Sequence, residues 1–268
     1  MTHLPAFRTA LFILSIALAS AAQAQTQAPA KPFEPTVGQA GKDVVWVPTP
    51  QALVDRMLDL AKVTPQDFVI DLGSGDGRTV ITAARRGARA LGIEYNPDMV
   101  ALARKNAAEA KVTDRATFEQ ADLFETDFSK ATVVTMFLLP SINLKLRPKL
   151  LEMAPGTRVV SNSFTMEDWT ADETANVTED CSSWCTALLW IVPAKVDGTW
   201  QTPQGELQLT QQFQMLQGTL AGAVISDARL RGAEISFTAG GVRFIGTVDG
   251  NTMKGTSSGG ATWTATKK

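Results

Sequence analysis

Apolar residues recur with two different periods along this chain of 268 residues, and the period changes near Pro193. Upstream, Leu53, Val54, Met57, Leu58 and Ala61 fall on one face at helical spacing, with Thr49 placed to cap the helix and Pro50 at its first position. Short apolar runs follow at 68–72, 90–94, 116–120, 132–139 and 157–161 and predict strands, while the segments 79–86, 97–110 and 142–153 carry helical periodicity. Strands alternating with helices of this length predict an α/β fold, a parallel sheet covered on both faces. Two further runs, 174–179 and 186–192, lie close enough in sequence to pair as an antiparallel hairpin at the end of that sheet.

Downstream the alternation has period two, as in Glu206-Leu-Gln-Leu-Thr-Gln and Val242-Arg-Phe-Ile-Gly-Thr-Val, and 12 of the 20 glycines lie in residues 196–268. This is a second, all-β region. Three Gly-Thr-x-x-Gly units begin at Gly218, Gly246 and Gly255 with unequal spacing, so they read as turns rather than as a repeat. A region of about 70 residues with about seven short strands predicts an up-and-down meander forming a small or partial barrel, with Trp200 and Trp263 as core plugs. The expected division is therefore an α/β domain over 46–194 and an all-β domain over 195–268.

The N-terminus reads as an export signal over 1–24: one cation, Arg8, then the apolar run Leu11–Ala19, then the small-x-small pattern Ala22-Gln-Ala24. The apolar run is shorter than the ~20 residues of a membrane span, so no stable membrane insertion is expected once the signal is removed. The mature chain would begin at Gln25 in the periplasm or outside the cell, and 25–45 reads as a flexible leader rich in Gln, Pro and Ala at its start. Cleavage leaves 24 cations against 27 anions, a formal net of −3, which favours no polyanionic partner.

The most informative segment is Val69-Ile-Asp71-Leu-Gly73-Ser-Gly75-Asp-Gly77, where an apolar strand enters three alternating glycines ahead of a helix. Glycines there let the backbone adopt positive φ and approach a ligand at a helix N-terminus, although glycine-rich strand-to-helix turns also occur without one. The spacing is not the dinucleotide G-x-G-x-x-G, because Arg78 takes the sixth position. Glu94 ends the next apolar run 21 residues beyond Gly73, where a carboxylate can accept both hydroxyls of a ribose; in isolation it would read as a solvated strand end. Asp122, after Phe118-Glu-Gln-Ala, reads either as a ligand contact or as a helix N-cap.

The pattern D-x-G-x-G-x-G at Asp71 resembles motif I of the class I S-adenosylmethionine (AdoMet)-dependent methyltransferases. That resemblance implies a Rossmann-like seven-stranded methyltransferase sheet and AdoMet as cofactor. It implies a cofactor-binding set of Asp71, Gly73, Ser74, Gly75 and Gly77 in the turn, Glu94 and Tyr95 at the ribose, and Asp122 with Leu123 beside the adenine. From Trp46-Val-Pro-Thr-Pro50 through Asp168-Trp169 the chain is similar to a bacterial group akin to the mitochondrial enzymes that methylate lysine in the c-type component of ATP synthase. The acceptor it implies is a protein, with lysine as one possibility, or a small molecule. Where such relatives tend to read Ser-His-Asp-Phe after the fifth strand, this chain has Ser161-Asn-Ser-Phe164; Asn162 could orient an acceptor or cap a turn.

Several chemistries are excluded. The one histidine, His3, lies in the export signal, so triads, histidine bases and histidine metal sites are ruled out of the mature chain, and two cysteines cannot make a four-ligand zinc site. No metal is expected, and no catalytic residue is assigned. Cys181 and Cys185 read as a disulfide pinching the terminal hairpin or as buried thiols. Met136-Phe-Leu-Leu-Pro140 stands where enzymes that methylate nucleic-acid amino groups carry Asn- or Asp-Pro-Pro-aromatic, so no nucleic-acid partner is expected. The leading expectation is an AdoMet-dependent methyltransferase; the second is an exported binder that keeps the fold without turnover.

Overall fold

The computed structural model describes residues 1–3 and 33–268; the rest of the expected export signal and the start of the expected leader lie outside them. Residues 34–268 form one compact unit. Helix α1 (Gln51–Leu60) precedes β1 (Phe68–Leu72), α2 (Arg78–Arg85), β2 (Arg89–Glu94), α3 (Pro97–Glu109) and β3 (Ala116–Gln120). Then come β4 (Val133–Met136), α4 (Pro140–Leu151), β5 (Arg158–Asn162), β6 (Glu173–Asn176) and β7 (Thr186–Ile191). The strands make one sheet in the order β3-β2-β1-β4-β5-β7-β6, parallel except where β7 runs against β5 and β6. This is the α/β, seven-stranded arrangement that the sequence implied.

The central strands are buried on both faces, as a parallel sheet requires. Leu53, Val54 and Leu58 of α1 pack with Val80 of α2 and Val100 of α3 on one face; Ile142, Leu146 and Leu150 of α4 pack with Phe128 and Trp190 on the other. The amino ends of the central strands share one polar knot. Asp67 pairs with Arg158 and accepts from Thr132 Oγ1 at 2.7 Å and the Thr64 N–H at 2.8 Å. Arg158 also donates to the Ala61 carbonyl at 2.8 Å, tying β5 to the end of α1.

Two boundaries differ from expectation for local reasons. Thr49 does not cap α1: Pro50 occupies the cap position, without a side-chain bond, and the Thr49 hydroxyl accepts instead from Asn162 Nδ2 at 3.3 Å. Strand β4 stops at Met136 rather than continuing to 139, because Phe137–Leu139 leave the sheet and Pro140 opens α4 as its first residue.

The remaining strands are β8 (Gly198–Thr202), β9 (Gly205–Gln212), β10 (Met215–Leu220), β11 (Ala223–Arg231), β12 (Glu234–Ala239), β13 (Val242–Asp249), β14 (Thr252–Ser257) and β15 (Thr262–Lys267). They form a closed antiparallel barrel of eight strands, not a seven-stranded or partial one, because β15 returns to pair with β8. Trp200 and Trp263 are core residues, and Trp263 meets Phe237 and Phe244 edge-on at 5.7 and 5.9 Å. The leading glycines of the Gly-Thr-x-x-Gly units stand inside strands, not in turns. Gly246 faces Gly255 across β13 and β14, and a Cβ on Gly246 would lie 2.6 Å from the Trp263 ring.

The barrel is seated on the α/β layer. Phe213, in the β9–β10 turn, stacks on Trp169 with ring centroids 5.8 Å apart and an 18° tilt, while the Arg147 guanidinium lies 5.2 Å from its ring. Gln214 Nε2 donates to the Thr170 carbonyl at 2.8 Å, Arg229 reaches the fully buried Asp172 carboxylate at 3.0 Å, and Arg231 pairs with Glu173.

Candidate functional site

The carboxyl ends of β1, β2 and β4 open into one cleft, the place where open α/β sheets bind ligands. It encloses about 1050 Å³, open solvent included. Its floor is the glycine turn. Gly73, Gly75 and Gly77 have φ of 79°, 53° and 83°, all in the left-handed region. The three serve different ends: a Cβ on Gly75 would strike Trp46 Nε1 at 2.6 Å, whereas one on Gly77 would strike the Phe118 ring at 2.7 Å. Gly77 is therefore dictated by packing of α2, on which it forms the N-terminal boundary, and Gly75 by the close approach of a partner from above. Ser74 lines the cleft, but its buried hydroxyl is turned onto β2, where a Cβ at Gly92 would meet it at 2.5 Å, and finds no hydrogen-bond partner.

Asp71 lies beneath the turn. Thr135 Oγ1 donates to its Oδ1 at 2.6 Å, linking β1 to β4, and burial pushes its carboxyl up to about 7, with Glu94 and Asp76 adding like charge. Glu94, at the tip of β2, is held by two backbone donors: the Gly75 N–H reaches Oε2 at 3.0 Å and the Asn96 N–H reaches Oε1 at 2.9 Å. Each oxygen keeps a lone pair for a further donor. Asp76 is gripped by Arg78, whose NH1 donates to the Thr49 carbonyl at 2.9 Å, so the turn is braced against the start of α1.

One wall of the cleft comes from the end of the segment expected to be leader, together with Trp46. Segment 36–46 folds back on itself, the Gly38 N–H donating to the Trp46 carbonyl at 2.8 Å and the Trp46 N–H to the Gln39 carbonyl at 2.9 Å. This strap lays Trp46 against Gly75 and places Lys42 Nζ 2.6 Å from Asp122 Oδ2, 5.3 Å from the centre of the Tyr95 ring. The other Asp122 oxygen accepts the Phe124 N–H at 2.9 Å in a turn, and no helix starts there. Leu123 and the half-exposed Tyr95 complete the rim. All nine residues expected at a cofactor are thus associated with this turn and cleft, with Gly77 set behind its wall. Trp46, Lys42, Met99 and Phe137 also line it; Trp46 and Phe137 lay in segments read from the sequence but were not assigned to a cofactor, and the apolar run Val44–Val47 ahead of α1 was the available signal for the strap.

A sequence profile described as "ANTKMT methyltransferase domain" matches residues 71–173. A protein-lysine N-methyltransferase from Saccharolobus islandicus is 45% identical over 152 residues, 56% of this chain and 94% of that protein. The chain belongs to the AdoMet-dependent methyltransferases. The adenine nucleotide translocase lysine N-methyltransferase of Mus musculus is 39% identical over 118 residues, 43% of this chain and 51% of the mouse protein. A solved structure described as an RNA methyltransferase from Salinibacter ruber in complex with S-adenosyl-L-homocysteine is 55% identical, with a TM-score of 0.53, covering 56% of this chain and 96% of that one.

The residues of this methyltransferase fit AdoMet. Gly73 and Gly75 line the cleft with backbone alone, the Glu94 carboxylate is pre-oriented with acceptors to spare, and Tyr95, Leu123 and Met99 offer apolar surface around it. Glu94 would hold the ribose, the turn 73–75 the main-chain contacts, and Asp122 with Leu123 the base. When bound, AdoMet supplies a methyl group already activated on its sulfonium. The protein's part is then to orient the acceptor and exclude water, which demands shape and position rather than a battery of acids and bases.

Proposed function

We propose that this methyltransferase modifies lysine side chains of proteins and does so outside the cytoplasm. The observation that carries the acceptor is the 45% identity to a protein-lysine N-methyltransferase across nearly all of that relative. The acid-leaning mature composition supports a basic protein acceptor over a polyanion. Export is supported by the Arg8, Leu11–Ala19 and Ala22-Gln-Ala24 pattern, and by Cys181 and Cys185, joined in a disulfide with Cα atoms 5.8 Å apart, a bond suited to an oxidising compartment. The Salinibacter ruber relative makes RNA the competing acceptor.

The test is transfer from methyl-labelled AdoMet into a periplasmic protein extract and, separately, into total RNA, with digestion and mass mapping of the label. Label on lysine Nζ is the expected result. Label in RNA alone would overturn the lysine reading. Intact mass of the exported chain addresses the compartment, with Gln25 as the expected first residue; a chain that keeps residues 1–24 would overturn export.

A further inference from the structure

Three aromatic side chains meet at the edge of the cleft, one of them, Phe137, shared with its wall. Phe137 leaves the end of β4, lines the cleft and stacks on Phe164, with centroids 5.8 Å apart and a 20° tilt. Trp184 stands 6.0 Å from Phe137 at 59°, so the group makes a corner with two walls. Trp184 remains 45% exposed and the two phenyl rings are half-buried, so the three rings together present a contiguous apolar face, the kind of patch that marks a binding surface.

The backbone carrying these rings is closely determined. The Phe164 carbonyl accepts from Ser161 Oγ at 2.8 Å and from Asn143 Nδ2 at 3.2 Å. Ser163, at a φ of 57°, donates its N–H to the Thr186 carbonyl at 2.7 Å, and the Val177 N–H donates to the Cys185 carbonyl at 2.9 Å. Trp184, at a φ of 52°, lies inside the small ring closed by the Cys181–Cys185 disulfide. Left-handed backbone at two non-glycine residues persists only where its surroundings impose it, and such positions concentrate at ligand clamps. The same loop exposes Glu179 and Asp180 and has no Lys or Arg from 176 to 186, so its field attracts cations.

We infer that Phe137, Phe164 and Trp184 are the seat for the cationic nitrogen of the acceptor, fixed in place by the Cys181–Cys185 disulfide. The inference rests on the lysine reading above. Aromatic faces attract an alkylammonium through their quadrupoles, most strongly with Trp and when water is thinned around the pair. An acceptor amine carries charge before it loses its proton and again once methylated, so such a seat serves both arrival and retention for a further round. Phe137, shared between the cleft wall and the aromatic corner, sets that nitrogen beside the cofactor site.

The test uses the mature protein with S-adenosylhomocysteine present and two probes, a trimethyllysine dipeptide and its uncharged tert-butyl isostere, titrated by calorimetry. The charged probe is expected to bind about tenfold tighter than the isostere, and Trp184→Leu and Phe164→Leu to abolish that preference. Affinity for S-adenosylhomocysteine should stay at the wild-type value in both, which reports an intact fold. Removing the clamp with Cys181→Ser and Cys185→Ser together should lower the preference several-fold. Equal binding of the two probes, or a preference that survives both leucine variants, overturns the inference. Methylation of lysine with an unchanged KM in Trp184→Leu overturns it while leaving the lysine reading in place. A wild-type preference for the charged probe without any methylated lysine supports the cationic seat and overturns the lysine reading.

Discussion

Glu94 carries two duties with one carboxylate: it orders the Gly75 and Asn96 amides and leaves lone pairs for ribose hydroxyls. Charge-assisted hydrogen bonds contribute about 1.5–3 kcal/mol each, so Glu94→Ala should weaken AdoMet at least ~10-fold in a calorimetric titration. Gly75→Val should be worse, since it puts a β-branched residue at a φ of 53° and drives it into Trp46; equal affinity to wild type in either variant would show that the turn does not hold the cofactor. Asp71 answers to pH. Its folded carboxyl, raised by burial from 3.8 to about 7, keeps its proton where the unfolded chain has released it. Ionising it therefore costs stability as pH rises from about 4 to 7, and the cost is constant above that. Asp71→Asn retains an acceptor for Thr135, so its thermal midpoint should gain on wild type steadily from pH 4 to 7 and then run parallel; a gap that does not change with pH would refute the assignment. These residues were legible because their roles depend on spacing along one strand and turn. Ser74 was legible as a position only, since the direction of its hydroxyl is set by Gly92 on the next strand.

Elements recorded themselves in the sequence wherever periodicity was long and local, as in α1, α3 and the buried strands. The strap did not, because its contacts join residues far apart: Lys42 with Asp122, Trp46 with Gly75. The apolar run Val44–Val47 is too short to show a period, and Gly38, Gln39, Gly41, Lys42 and Asp43 ahead of it carry none, so the leader's end looked unstructured. Trp46→Ala should therefore speed dissociation of AdoMet more than it slows association, measured by stopped-flow fluorescence; unaltered dissociation would mean that the strap only decorates the cleft. At the other end of the sheet, burial raises the Asp67 carboxyl, but hydrogen bonds from Arg158, Thr132 and Thr64 outweigh it and hold the group below its ordinary value. That contribution to stability is full at neutral pH and is lost as pH falls through the acid range. Arg158→Leu leaves a nearly buried carboxylate without its partner and should cost about 3 kcal/mol in urea unfolding at pH 7, with the deficit shrinking in acid.

At the scale of the whole molecule, two cores with different periods are joined through the β9–β10 turn and the arginines of β11. Alternation past Pro193 foretold a β-region, yet closure of the barrel depends on β15 meeting β8, some 60 residues apart, and seating it depends on Phe213 meeting Trp169. Neither contact has a local signature. Phe213 adopts a φ of 53°, which a phenylalanine takes only under constraint, and its ring is then held between the Trp169 indole and the Arg147 guanidinium. Arg229 adds a charged contact to a buried Asp172 beside it. A seam of stacked rings and buried charge couples the two cores, so the protein should unfold in a single calorimetric transition, although the barrel has an apolar interior of its own. Phe213→Gly relieves the backbone and removes the ring; combined with Arg229→Ala it should split that transition in two and expose 193–198 to limited proteolysis, releasing an intact barrel fragment. AdoMet affinity should be preserved in the double variant, because the cleft draws none of its walls from the barrel. Two resolved transitions in the unaltered protein would show that the seam is too weak to couple the domains.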